Sequence, residues 1–99
     1  MNAVILLVDR NASVAQSSKR VLEIAGYEVI VAKNDEDARH QMRERHIDVV
    51  VVMSNVEDES ERKLSAWHED YVSGAFYHRT NADPQHLLDE IEREVGGRA

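Results

Sequence analysis

The hydrophobic positions of this chain come in short, dense runs separated by amphipathic stretches. The densest run, at 47–55, reads Ile-Asp-Val-Val-Val-Val-Met-Ser-Asn. Four consecutive valines show no polar alternation. Both faces of such a strand need cover, as in a parallel sheet with helices above and below. A second apolar run, Ala-Val-Ile-Leu-Leu-Val at 3–8, ends in Asp9-Arg10. A third, Tyr-Glu-Val-Ile-Val-Ala at 27–32, partly alternates and belongs nearer a sheet edge. Ala-Phe-Tyr-His-Arg at 75–79 is a shorter and weaker strand pattern.

Between these runs the period changes from two to 3.6. Val14, Ser18, Val21, Leu22 and Ala25 fall on one helical face, with Asn11 or Ser13 as N-cap and Gly26 as a left-handed stop. Asn34, with Asp37 three residues on, starts a helix running to about His46, whose thin inner face is Ala38, Met42 and His46. A polar, acidic loop over 55–61 leads to a third helix, with Leu64, Trp67 and Tyr71 on one face up to Gly74. Asp83-Pro84 opens the last helix, which turns Leu87, Leu88, Ile91 and Val95 inward and ends at Gly96-Gly97. Four strands alternating with four helices predict an α/β fold. It is a doubly wound parallel sheet with helices on both faces and right-handed crossovers, in a single domain over 1–99.

Composition narrows the function. The chain is 42% hydrophobic and 31% charged, as a globular domain is. It has no cysteine, which removes disulfides, thiol chemistry and zinc-finger sites. No apolar run reaches membrane-spanning length, and Met1-Asn2-Ala3 leads straight into a strand without a basic signal-peptide region. The expectation is a cytoplasmic protein without a membrane partner. A net charge of −7, with Arg39, Arg43 and Arg45 interspersed among Glu36, Asp37 and Glu44, disfavours nucleic acid.

Taken in order, the runs resemble a response-regulator receiver domain over nearly the whole chain. Ile5-Leu6-Leu7-Val8-Asp9 resembles that family's first strand and its acidic end. Val21 to Val29, through Gly26, resembles the first helix, its glycine turn and the second strand, and 34–43 is similar to the second helix. Ile47-Asp48-Val49-Val50-Val51-Val52 resembles the third strand. Gly74-Ala75, Tyr77 and Asp83-Pro84-Gln85-His86-Leu87-Leu88 resemble the last strand and helix. The resemblance implies a flavodoxin-like sheet in the order 2-1-3-4, one βα unit short, because the chain between Val52 and Gly74 is too brief for the usual helix-strand-helix.

The departures fall at the places that carry the family's chemistry. Receivers pair two acids after the first strand to hold magnesium; here Arg10 follows Asp9. The aspartate that accepts a phosphoryl group falls at Met53, and the lysine after the last strand at Thr80 or Asn81, with Arg79 beside it. A thioether is neither a strong nucleophile nor a hard ligand, and one carboxylate beside a guanidinium makes a poor magnesium site. Ser54 is the nearby hydroxyl, with no evident base.

Asp9, Arg10, Met53, Ser54 and Thr80 are thus expected to line a degenerate phosphorylation crevice at the carboxyl ends of the strands. The plainest expectation there is a surface ion network around Asp9 and Arg10. A small-anion or nucleotide site near Arg10 and Ser54, or residual phosphoacceptor chemistry at Ser54 or an acid of 55–59, are the alternatives. The five histidines lack close pairing, so no metal and no cofactor is expected. Trp67, Tyr71, Phe76 and Tyr77 form a candidate interaction surface for a regulatory protein partner. Apolar sheet left exposed by the lost βα unit also points to a homodimer. The overall expectation is a non-catalytic, phosphorylation-independent interaction module.

Overall fold

The computed structural model describes residues 3–72 and 75–95. The elements run β1 (Val4–Val8), α1 (Ala12–Ile24), β2 (Glu28–Ala32), α2 (Asp35–Glu44), β3 (Val49–Met53), α3 (Asp58–Tyr71), β4 (Phe76–Thr80) and α4 (Pro84–Val95). All strand pairings are parallel, in the order β2-β1-β3-β4. β3 is buried at every position, as its valine run predicts, and β2 is an edge strand.

Alternation along the strands divides the core into two layers. Leu6, Val8, Val50 and Val52 point to one face, where Ala38 and Met42 of α2 and Leu64 of α3 cover them. Ile5, Leu7, Val49, Val51 and Met53 point to the other, under Ala15 and Leu22 of α1 and Leu87 and Ile91 of α4. The sheet is therefore wound on both sides.

The helix starts are set by short polar side chains. Asn11 Oδ1 accepts from Val14 N at 3.1 Å, Asn34 Oδ1 from Asp37 N at 2.8 Å, and Asp83 Oδ1 from His86 N at 2.9 Å. α1 stops at Gly26, whose φ of +103° lets Gly26 N reach Glu23 O (3.0 Å) and Tyr27 N reach Leu22 O (3.1 Å).

Several boundaries and faces differ from the sequence reading. The buried stripe of α1 is Ala15, Ser18 and Leu22, and Val14 and Ala25 are exposed. The helix is rotated so that its small residues meet the sheet. α2 ends at Glu44, because Arg45 is already extended (φ −132°, ψ 153°). His46 is thus swung out to solvent, beside Asp48 at 2.9 Å, and is not part of an inner face. α3 begins at Asp58, inside the stretch expected to be loop. Asp58, Glu59 and Glu61 sit in its first turn, where carboxylates favour the positive end of the helix dipole. Gly74 and Gly96-Gly97 lie outside the described residues. Among the described residues, no helix is long and apolar enough to cross a membrane.

Candidate functional site

The strand register gathers the expected crevice at the carboxyl edge. Val8 is level with Val52, and Met53 with Thr80, so Asp9 continues β1 beside Met53. Asp9 is fully buried. Its Oδ1 accepts from Asn11 N at 2.8 Å and from Asn55 Nδ2 at 2.7 Å, while Oδ2 is buried without a hydrogen-bond partner among the described residues. Met53 is buried, and Ser54 is exposed with its N–H held by Thr80 O at 2.9 Å. The Thr80 hydroxyl accepts from Ala82 N at 3.0 Å, which fixes the turn into α4.

Arg10 reaches across the mouth of this edge. Its Nη2 meets Asp35 Oδ1 at 2.8 Å, its Nη1 donates to Lys33 O at 2.7 Å, and Glu57 lies at 3.4 Å. Arg10 N also donates to Asn55 Oδ1 at 3.1 Å. One guanidinium thereby ties the end of β1 to the first turn of α2 and to the N-cap of α3. Ser60 Oγ completes the network, donating to Asp35 Oδ2 at 2.8 Å. The hydrogen bond to Asp35 raises the Arg10 pKa further. Burial pushes the Asp35 carboxyl up, but the hydrogen bonds from Arg10 and Ser60 outweigh it and hold that pKa below the usual range. Glu57 is lowered by its hydrogen bond from Arg10.

The donor set does not suit a hard divalent ion. Such an ion takes six or more oxygens, or fewer with several retained waters. Here the strand ends present one carboxylate, Asp9, with one oxygen already accepting two hydrogen bonds. The other acids of the neighbourhood, Asp35 and Glu57, are engaged by Arg10, itself a resident cation. Arg79 does not supply the missing lysine. It turns back along α3, donating to Val56 O at 3.1 Å and pairing with Asp58 at 3.3 Å. Among the described residues, no three His, Asp or Glu side chains are grouped to hold a metal.

The aromatic residues divide into two groups. Trp67 and Tyr71 lie along the α2–α3 seam, where Arg39 stacks over the Trp67 ring at 5.4 Å and Arg43 over Tyr71 at 6.0 Å. Tyr77 is half-buried beneath α3, its hydroxyl donating to Glu61 Oε1 at 3.2 Å and its ring edge-on to His68 at 5.4 Å. Burial, then the Glu61 charge, push the Tyr77 phenol well up. Phe76 gives its backbone to β4, and its side chain lies outside the described part of the molecule. Trp67 and Tyr77 both pack against the core layer that α2 and α3 cover, while Tyr71 is exposed near the end of α3. No sequence motif points to Asp35, Glu57 and Ser60 as partners of Arg10, or to the two arginines over the rings. Spacing alone could have suggested the latter: Arg39/Arg43 and Trp67/Tyr71 are each one helical turn apart.

No family model and no curated protein matches the chain. Solved structures do. A CheY-like response-regulator receiver domain protein from Methanospirillum hungatei superposes with a TM-score of 0.68 at 18% identity, covering 98% of this chain and 96% of that one. The chain has the receiver fold. A Burkholderia pseudomallei response regulator, solved with a phosphorylated aspartic acid, calcium and citrate, gives 0.72 at 18% identity over 95% and 73% of the two chains. A de novo designed Rossmann-fold protein also matches, at 0.63 with 16% identity over 94% and 96%. At such identities the likeness is one of architecture, and function has to be argued from the site.

Proposed function

We propose that this chain is a receiver-like signalling module, cytoplasmic and without turnover, that acts by docking to other proteins rather than by accepting a phosphoryl group. The observation that carries this reading is the Arg10 guanidinium held by Asp35, Lys33 O and Glu57. It sits beside the strand end where a receiver would gather oxygens around a cation. Phosphoryl transfer needs an oxygen nucleophile and a hard ion to neutralise the moving charge. Met53 offers no such nucleophile, and the Asp9 neighbourhood suits no such ion. An anion site is disfavoured by the same geometry, because the Arg10 charge is already balanced by two carboxylates.

The test is incubation with acetyl phosphate and magnesium followed by intact-mass measurement. An unchanged mass is expected. A gain of about 80 Da, one phosphoryl group, overturns the reading. Self-association belongs to the same proposal and is supported by the open edges of β2 and β4, each paired on one side only. Sedimentation velocity across a concentration series tests it, and a monomer throughout removes it.

A further inference from the structure

Of the eight described arginines, three hold a carboxylate, two sit over aromatic rings, and Arg20, Arg62 and Arg93 do neither. Arg10, Arg45 and Arg79 each hold a carboxylate, at 2.8, 2.7 and 3.3 Å respectively. Arg39 and Arg43 hold none among the described residues, in a chain with 19 acidic residues. Their guanidinium carbons instead sit 5.4 and 6.0 Å from the ring centres of Trp67 and Tyr71, and Arg39 Nε is buried without an acceptor. Stacking restrains a guanidinium while leaving its outer N–H edge free, the geometry that pairs with a carboxylate. The two are one helical turn apart, about 6 Å along the axis. A groove of about 550 Å³ adjoins the seam at Trp67 and Lys63, and its far side is the Arg10 network with Asp35, Glu36 and Glu57.

We infer that the α2–α3 seam is a docking site for an acidic segment of a partner protein, whose carboxylates, spaced one helical turn apart, pair with Arg39 and Arg43. Charge complementarity selects this occupant. A nucleic acid presents similarly spaced anions, but it extends beyond the seam. There it meets Asp35 and Glu36 at one end of the groove and a chain of net charge −7 around it. A short acidic segment needs only the local cations. The inference rests on the docking reading above and gives the partner its chemistry.

The chain's one tryptophan, Trp67, reports directly on this seam. The experiment titrates the protein with a capped, alanine-rich helical peptide bearing glutamates at i and i+4. Its glutamine twin and an oligothymidylate are run in parallel while Trp67 emission is followed. The expected result is a saturable change with the glutamate peptide alone, weakened by added salt. Arg39→Gln and Arg43→Gln each weaken it roughly fivefold, as for partly exposed ion pairs. The double variant Arg39→Glu/Arg43→Glu should instead bind the lysine version of the peptide. Circular dichroism confirms that each variant is folded. An equal response to the glutamine twin, a stronger response to the oligothymidylate, or no response to the glutamate peptide overturns the inference. If it fails while the mass stays unchanged under acetyl phosphate, docking stands and only the acidic partner is lost. A mass gain removes docking itself.

Discussion

Arg10 and Arg39 put the same side chain to opposite uses. Arg10, at the carboxyl edge, is surrounded by acceptors: two carboxylates and a backbone carbonyl. Arg39, on the α2–α3 seam, stacks over a ring and meets no carboxylate among the described residues. The first closes a crevice that the fold opens, by tying β1, α2 and α3 together. The second leaves its guanidinium without a carboxylate among the described residues, with Nε buried. Charge that is satisfied inside a molecule stabilises it, and charge held in place but unsatisfied is ready for a partner.

The largest expected effect comes from breaking the closed site. Arg10→Met leaves Asp35 with Ser60 alone and removes the bond to Lys33 O, and should lower stability by about 1–3 kcal/mol. Urea denaturation measures this. A loss under about 0.5 kcal/mol, typical of a plain surface change, would show that the guanidinium ties nothing together.

Acid should reproduce part of that loss. The folded-state pKa of Asp35 is depressed, so its contribution is complete above the unfolded value near ~3.9 and disappears as pH falls through the folded value. Stability measured between neutral and acid pH should therefore fall faster for the unmodified protein than for Arg10→Met, so the two curves converge below about pH 4. Parallel curves would assign the acid loss to other carboxylates, Glu90 among them. Burial raises the Glu90 pKa, but bonds from His78 and Thr80 hold it below its usual range.

On the open site the effects on folding should be small. Arg39→Leu should cost about 0.5–1 kcal/mol, the worth of one cation–π stack. Arg43→Leu should cost still less, because Tyr71 is 39% exposed and the guanidinium lies 6.0 Å away. Thermal melts would resolve both. A loss at Arg39 as large as that at Arg10 would mean the seam is structural cement and would erase the contrast.

The sequence made some of this legible and hid the rest, for identifiable reasons. The valine run of β3 announced burial on both faces, because nothing in it could face water. Asn34 and Asp83-Pro84 marked helix starts through side-chain chemistry confined to one turn. The identities at Asp9, Arg10 and Met53 already argued against the receiver's chemistry. The partners of Arg10 were invisible, because Asp35 and Glu57 are 25 and 47 residues away in the chain and only the crossovers bring them to one edge. Of the face expected for α1, Ser18 and Leu22 are buried while Val14 and Ala25 are exposed, and Ala15, whose small side chain carries little hydrophobic signal, takes an inner place. Nothing in Arg45-His46 advertises the extended backbone that ends α2 before His46.

The central claim is that a guanidinium stands where a receiver would assemble oxygens around a cation. Magnesium titration, followed by NMR at the Asn11 amide that donates to Asp9 Oδ1, tests it most directly. The expected result is a small shift, linear in magnesium and unsaturated to about 10 mM, beyond the range of protein divalent-ion sites. Saturation below about 1 mM would place a working cation site beside Arg10 and contradict the account.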